Sequence, residues 1–456
     1  DRSGGRYTQI YQAVASSCEI CFENPTPLWE IRARRVIHDD VEQQLYFERA
    51  QFRVLGIPVF FVPRMRLPDP TVERSTGFLR PTIRVDNLTG TSLQTPYFIE
   101  LGPHADLTLT PWIGLGDSQT LEARYRHAFR NGDLRINSAV SFDELTNDDY
   151  RYYTFANANF NLGGDIRFAA QIQAVSDRGY LATYWFPAHS MLESFVRVSQ
   201  VSRYSYFEAG ATIYESMREG EVNSLLPNNV ASAEIVRRYQ PGFIGGTLTA
   251  ELDAIVLYRD SDLSAEGNDM TGRDLVRAAG FLDWRRTEIF GGFETTFEGA
   301  LHGAFYNIDQ GGALTGEASR LTPYAAVELR YPLQAVSERG VSHVIEPVAQ
   351  FVWSETYGDA VPNEDSFIVE FDEANLFSLD RFPGSDEREI GPRGNLGLTY
   401  TRLSPDGLSF SVAGGIVLRP EDQGQFTDGS GLNGMQSDFL LATHVSLPGR
   451  FGMINR

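Results

Sequence analysis

Apolar and polar residues alternate with a period of two along most of this chain, as in β-strands whose two faces meet different surroundings. The alternation is clearest in residues 119–129, 134–142, 166–174, 248–258, 293–305, 321–331 and 408–418. In the first of these segments, Leu121, Ala123 and Tyr125 alternate with Glu122 and Arg124. Because the helical period of 3.6 is missing over nearly the whole region, the pattern predicts an all-β, antiparallel fold.

The length of these segments favours strands that cross a membrane. Strands of soluble sandwiches usually have about 5 to 6 residues, whereas a tilted strand that crosses an outer membrane needs about 9 to 11. Arg, Glu, Asp and Gln recur on the polar face, as expected if that face lines a wet lumen while the apolar face meets lipid. The region after Gly77 has room for about 16 to 18 such strands. We therefore predict a large antiparallel transmembrane β-barrel, with extracellular loops at residues 216–232, 260–273 and 356–392.

Residues 1–62 show shorter alternating segments joined by charged turns, for example at residues 28–34. This spacing predicts a small sandwich or a stacked β-solenoid, which needs neighbouring repeats to cover its ends. A proline-rich passage follows at residues 56–70, and proline cannot donate a ladder hydrogen bond. The sequence therefore predicts a domain boundary in this passage, between residues 1–62 and residues 63–456.

Composition and charge exclude several classes of protein. The 456 residues are 42% hydrophobic and 12% aromatic, which excludes a disordered chain. Mean hydropathy is −0.26 and no run of apolar residues is long enough for a membrane-spanning helix, which excludes a helical membrane protein. The net charge is −21, from 60 acidic and 39 basic residues, and every basic residue is Arg. Without a basic footprint for phosphates, the chain is not expected to bind nucleic acid.

Several short motifs occur in the order of one known family. They are Cys18-x-x-Cys21, residues 28–39, Gly-Ile-Pro-Val-Phe-Phe-Val-Pro at 56–63, residues 67–81, Pro-Tyr-Phe at 96–98, residues 106–111, His-Val-Ile-Glu-Pro at 343–347 and Leu-Phe-Ser-Leu-Asp-Arg-Phe-Pro-Gly at 376–384. Each motif is weak alone, but the series covers most of the chain. On these residues the chain resembles the LptD (OstA/Imp) family of outer-membrane lipopolysaccharide-assembly proteins, and specifically its alphaproteobacterial type.

The resemblance implies a periplasmic β-jelly-roll of the OstA type, whose C-terminal part is residues 1–62, followed by the transmembrane barrel of residues 63–456. The expected location is the outer membrane of a Gram-negative bacterium, with the N-terminal segment in the periplasm. The family has a longer jelly-roll, more barrel strands and a C-terminal cysteine pair. We therefore expect this chain to be a fragment, cut at both ends and incomplete in its barrel.

The resemblance also implies a function and partners. The expected partners are lipopolysaccharide (LPS), an LptA-type bridge protein that delivers it, the lipoprotein LptE that plugs the barrel, and the lipid of the outer membrane. LPS would reach the outer leaflet through a lateral gate between the first and last barrel strands. Pro63, Pro68 and Pro70 are the candidate gate residues, because each removes a ladder donor in or beside the first strand. For Pro70, a simple linker role is an equal alternative.

Cys18 and Cys21 have three interpretations. A redox CxxC motif belongs after a strand in a thioredoxin-like βαβ unit, and the surrounding sequence has no such context. A zinc site needs four ligands, and only His38 is nearby. We favour structural disulfides in an oxidising periplasm, either local or to cysteines outside the fragment. No metal site and no cofactor are expected.

Two other functions are alternatives to LPS transport. A passive porin-like barrel, or another outer-membrane transport barrel, would lack the OstA-like segment. A barrel hydrolase would need a Ser, a His and an orienting acid, and His127, His302 and His444 lie in strand-like segments. No GxSxG or HExxH motif is present, so the sequence predicts no enzyme and no catalytic residue.

Overall fold

A computed structural model describes residues 2–3, 5–16, 29–69, 71–72, 74–114, 118–146, 150–263 and 272–455. β-Strands make up nearly all of the secondary structure, and they pair antiparallel in two sheets, one of them large. The prediction of an all-β protein with a large antiparallel sheet is therefore confirmed. Within the described ranges, no helix is long and apolar enough to span a membrane. The chain divides into two compact units, residues 1–128 with 135–152, and residues 129–134 with 153–456.

The first unit begins with a five-stranded antiparallel sheet, which we call the first sheet, in the order β1-β2-β3-β4-β5. Its strands are Arg2–Ser3 (β1), Tyr7–Ala15 (β2), Trp29–Asp39 (β3), Gln44–Val54 (β4) and Ile57–Pro68 (β5). Ala33, Val36, Phe47 and Ala50 form its buried core. β5 continues through the predicted domain boundary at residue 62 and ends at Pro68, so the first sheet extends beyond that boundary.

Further strands follow the first sheet: Gly77–Phe78 (β6), Thr82–Asp86 (β7), Gly90–Gln94 (β8), Tyr97–Glu100 (β9), Ala105–Gly114 (β10), Gln119–Phe129 (β11) and Gly132–Phe142 (β12). β10 pairs with β8, β9 and β11, so the short strands β6 to β9 are assembled on one side of a long strand. Arg74 and Arg126 both donate to the buried Asp106 at 2.8 and 2.9 Å. These two ion pairs attach the segment that precedes β6 to strands β10 and β11.

The second unit is one long antiparallel meander. Its strands are Arg151–Gly163 (β13), Ile166–Val175 (β14), Met191–Val201 (β15), Ser205–Ser216 (β16), Asn229–Tyr239 (β17), Thr247–Tyr258 (β18), Asp274–Phe290 (β19), Phe293–Asp309 (β20), Gly316–Arg330 (β21), Leu333–Val336 (β22), Ser342–Ser354 (β23), Tyr357–Gly358 (β24), Arg393–Leu403 (β25), Ser409–Leu418 (β26), Leu440–Leu447 (β27) and Phe451–Asn455 (β28). Most consecutive strands pair with each other. The departures are at the short strands β22 and β24: β21 pairs with β23 and β24, and β23 pairs with β25. A one-turn helix, Tyr180–Thr183 (α1), interrupts the meander.

A crease crosses the first sheet where regular pairing is interrupted. The register passes from Tyr11–Arg35 to Ala13–Ala33 between β2 and β3, and from Glu48–Arg64 to Ala50–Val62 between β4 and β5. The four residues of the crease are therefore in one row: Gln12, Arg34, Arg49 and Pro63. Gln12 and Arg49 have φ of 53° and 51°, the left-handed conformation of an irregular strand. Proline fits this row because the position needs no ladder donor.

An ion pair anchors the start of β2 to the turn between β3 and β4. Arg6 Nε and Nη2 donate to the Asp39 carboxylate at 2.9 and 2.7 Å, and the backbone N–H groups of Val41 and Glu42 donate to the same carboxylate at 3.1 and 3.2 Å. The Arg6 guanidinium and these backbone donors lower the pKa of Asp39 to about 2. This turn lies on the first sheet, outside the long meander.

We expect Asp39→Asn to loosen β2 and β3, because the substitution removes the charge that Arg6 binds. An aspartate in an unfolded chain has a pKa of about 3.9, above the folded value of Asp39, so this stabilisation is complete above about pH 5 and is lost as the pH falls towards 2. Hydrogen exchange of β2 at pH 7 and pH 3 measures it. The parent chain should lose protection at pH 3, and Asp39→Asn should show little further loss. Glu42→Gln, which removes only the more distant carboxylate, is the control; equal effects of both substitutions would contradict the assignment.

Candidate functional site

An open groove of about 1260 Å³ lies on the first sheet and follows the crease. Its walls come from β2 to β5: Gln12, Ala13, Val14, Arg32, Ala33, Arg34, Arg49, Gln51, Phe61, Pro63 and Arg64. Side chains normally alternate between the two faces of a strand. The irregular backbone at the crease changes this, so that residues next to each other in β3, such as Arg32, Ala33 and Arg34, line one groove.

The groove combines positive charge with apolar surface. Arg32 is paired with Glu30 at 2.7 Å. Arg34, Arg49 and Arg64 are exposed, and no carboxylate among the described residues lies within ion-pair distance of them. Val14 and Phe61 in the same groove are 56% and 54% exposed. Such a surface is chemically suited to an amphiphile with anionic head groups, because guanidinium groups bind phosphate and the apolar side chains remove hydrocarbon from water.

The predicted gate prolines lie in the first sheet. Pro63 is at the crease, and Pro68 pairs with Gln44 at the end of β5. The sequence interpretation put them in or beside the first barrel strand, but β5 pairs with β4 along its length, and in the described sheet it is an edge strand. An edge position and a crease both tolerate proline because neither needs every ladder donor. Pro70, Cys18 and Cys21 lie outside the described residues, so their predicted roles stay predictions.

A second feature that the sequence did not reveal is an inward-folded segment of the second unit. Residues 361–392, which we call the strap, follow β24 and contain no regular strand or helix. The sequence predicts an extracellular loop here. In the structure the strap packs against one face of the meander, which we call the inner face. Leu376 of the strap is 4% exposed and forms a core with Val417, Leu432 and Leu440.

Three buried clusters of arginine and carboxylate side chains, which we call the knots, hold the strap. In the first, Glu364 accepts from Arg259 at 2.8 Å and from Arg273 at 2.6 Å. In the second, Arg277 of β19 donates to Asp365 and Asp386, each at 2.7 Å. The arginines of these two knots come from the ends of β18 and β19 or from β19 itself. Both the start of the strap, through Glu364 and Asp365, and a position near its end, Asp386, are therefore fixed to this hairpin.

The third knot surrounds Glu389, whose side chain is fully buried. Arg381 and Arg419 donate to its carboxylate at 2.7 Å each, and Arg393 lies 3.3 Å from it. Arg381 also belongs to the strap, Arg393 begins β25 and Arg419 follows β26. The Glu389 carboxylate therefore links Arg381 inside the strap to the first residue of β25 and to the residue that follows β26. Removing one partner of a buried pair costs about 3–5 kcal/mol, because the remaining charges stay buried without compensation.

Some of these features left a signal in the sequence. Residues 376–384 were recognised as a motif, and Arg381 is part of it, but which carboxylate it pairs with depends on the fold. Arg32 and Arg34 were visible as the polar face of an alternating strand. Their convergence with Arg49 and Arg64 had no signal, because the crease is a backbone irregularity at Gln12 and Arg49, residues without a turn-forming tendency. Among the described residues, no group of three or more His, Cys, Asp or Glu side chains is arranged to hold a metal ion.

Glu389→Ala should destabilise the second unit by about 3–5 kcal/mol, because three buried arginines lose their shared carboxylate. Denaturant unfolding of the purified chain in detergent, followed by tryptophan fluorescence, measures the change. Glu387→Ala is the matched control from the same segment, since Glu387 is only half-buried and lies 3.9 Å from Arg320. An equal loss in both variants would show that Glu389 has no special role.

Comparison with known proteins gives consistent matches to one family. A family model described as "LptD: LPS transport system D" matches residues 149–454. The LPS-assembly protein LptD of Polaromonas sp. strain JS666 is 26% identical over 446 residues, covering 91% of this chain and 52% of that protein. The LPS-assembly protein LptD of Acidovorax sp. strain JS42 is 23% identical over 485 residues, covering 97% of this chain and 56% of that protein. The chain thus spans about half the length of these curated relatives.

Solved structures give a much weaker likeness. The crystal structure of Pseudomonas aeruginosa OccK10 (OpdN) matches with 11% sequence identity and a TM-score of 0.29, covering 80% of this chain and 98% of that chain. A likeness at this level supports no argument about fold or function.

Proposed function

The chain belongs to the LptD family, because the family model covers most of its length, and from this premise we propose that it is part of a machine that transports lipopolysaccharide to the outer membrane. The matched family is a transport system and not a family of enzymes. The observation that carries the proposal beyond family membership is the arginine-lined groove of the first sheet. LPS carries phosphate groups beside acyl chains, and the groove offers guanidinium groups beside Val14 and Phe61.

The long meander supports a place in a membrane. In β20, Phe297, Leu301 and Phe305 are 38%, 41% and 48% exposed, whereas His302 and Tyr306 on the opposite face are 3% and 0% exposed. The exposed side of this strand is therefore apolar, and the polar groups point to the side that carries the strap. This is the arrangement of a strand between lipid and an aqueous interior. We propose that the meander belongs to a transmembrane barrel and that the first sheet lies in the periplasm.

The finer steps of transport are also proposals. An LptA-type bridge protein would deliver LPS to the groove of the first sheet, and LptE would occupy the barrel. LPS would then leave through a lateral gate towards the outer leaflet. The structure-based support for this order is that the groove is open and cationic, while the strands of the second unit present an apolar outer surface.

Charge reversal in the groove tests the LPS-binding step. A photo-crosslinking residue at Phe61 should capture LPS in living cells, and Arg34→Glu with Arg49→Glu should reduce the capture at least tenfold, because two charge-assisted contacts to phosphate become repulsive. Arg53→Glu is the matched control: it lies in the same strand as Arg49 but does not line the groove. Undiminished capture by the double variant, at equal protein levels, would contradict the assignment.

Replacing the gate prolines tests their proposed role. Pro63 and Pro68 deprive the edge strand β5 of two N–H donors, which discourages pairing at its free edge. Pro63→Ala with Pro68→Ala should therefore slow the appearance of LPS at the cell surface. Labelling of LPS on intact cells measures this rate. Pro58→Ala is the control, because Pro58 lies beside the β4–β5 turn, where the strands are held together covalently. Normal surface LPS in the double variant would show that neither proline contributes to LPS export.

A further inference from the structure

The strap covers only part of the inner face. Asp253 of β18 lies 3.7 Å from Arg277, which binds the strap, so Asp253 belongs to the inner face. Glu234 of β17 stands directly opposite Asp253, and Glu208 of β16 stands directly opposite Glu234. Directly opposed residues share a face, so all three carboxylates are on the inner face. The side chains of Glu208 and Asp253 keep exposures of 31% and 23%.

The same row of the sheet changes character beneath the strap. Asp253 is paired with Ala279 of β19, and Ala279 with Ala304 of β20. These alanines are 5% and 7% exposed and belong to a core against which Val361 of the strap packs. The open part of the row continues from Glu208 through Ser199 of β15 to Arg167 of β14. Charged and polar side chains therefore occupy the open part of the row, and small apolar side chains occupy the covered part. The inner face is therefore apolar where the strap covers it and charged where it does not, as expected if the strap keeps one position.

The wall beneath the strap is also matched in shape. A Cβ atom at Gly397 of β25 would lie 2.7 Å from Phe377 Cζ and 3.1 Å from Leu376 Cδ2 of the strap. A Cβ atom at Gly415, which pairs with Gly397, would overlap Leu376 as well. Two adjacent strands thus lack side chains at the place where the strap inserts its apolar residues. Such complementarity is typical of a packed core and not of a mobile loop on a wet surface.

We propose that the strap is a fixed partition of the interior, and that the polar part of the transported molecule passes along the inner face of β14 to β17, beside Glu208 and Glu234. The proposal rests on the transport function proposed above. Displacing the strap would break all three knots together and leave charges such as Glu389 and Arg393 buried without partners. The uncovered strands can accept a passing molecule without that cost.

A crosslink between the strap and the wall tests the partition. In the full chain, Leu376→Cys and Gly397→Cys place two thiols on the two sides of the contact between the strap and β25. A short bifunctional methanethiosulfonate reagent joins them through disulfides, and the shortened side chain at 376 leaves room for the Cβ atom at 397. Leu376→Cys with Gly394→Cys is the control, because no atom lies within 4 Å of the Cβ position at 394. Mass spectrometry establishes whether the crosslink forms. With the crosslink formed, surface LPS should equal that of the reduced protein; a loss that a reductant reverses would make the strap a lid and overturn the proposal.

Labelling of single cysteines locates the path independently of LPS. In planar bilayers, a charged methanethiosulfonate reagent should reduce the conductance of Glu234→Cys and leave Ala304→Cys unchanged, with the unsubstituted chain giving the background from Cys18 and Cys21. Modification of Ala304→Cys, or no effect at Glu234→Cys, would overturn the partition. If both conductance results are as expected while no form of the chain exports LPS, the partition stands and the proposed transport function fails.

Discussion

Pairing of buried charges is the constraint on which the organisation of the second unit depends. An arginine or a carboxylate that leaves water must find a partner, because an uncompensated buried charge costs more than most other single interactions contribute. Glu364, Asp386 and Glu389 bring this requirement to the inner face of the meander. Arginines of the β18–β19 hairpin, far away in the chain, pair with Glu364 and Asp386, and Arg419, which follows β26, pairs with Glu389. A segment without regular secondary structure thereby acquires one defined position.

The first sheet shows a different way of building a site. Its strands alternate on either side of the crease, but its buried core also depends on the crease. Ala33 and Val36 of β3 are three residues apart, as are Phe47 and Ala50 of β4, and they share one core only because the pairing between them is irregular. The crease through Gln12, Arg34, Arg49 and Pro63 interrupts the ladder and brings side chains that would otherwise alternate between faces to one groove. The irregular backbone thus produces a cationic surface beside apolar side chains. Such a surface is chemically suited to an anionic lipid.

The two units divide the chemistry of the chain in a way that suits transport. Arg34, Arg49 and Arg64 of the groove have no carboxylate of the described residues within ion-pair distance, whereas the arginines that hold the strap are paired with buried carboxylates. Carboxylates such as Glu208 and Glu234 occupy the open inner face of the second unit.

The sequence by itself determined the all-β fold, the long antiparallel strands and the family, because strand alternation is a local property and the motifs are short runs of residues. It also marked β5 as unusual through its prolines. Only the tertiary structure decided that Pro63 belongs to the first sheet, since an edge strand of one sheet and the first strand of the next have the same local pattern. The structure likewise decided that the strap folds inward. Charged residues in an irregular segment predict a solvated loop, and whether Glu389 is solvated or buried depends on arginines such as Arg419 that only folding brings to it.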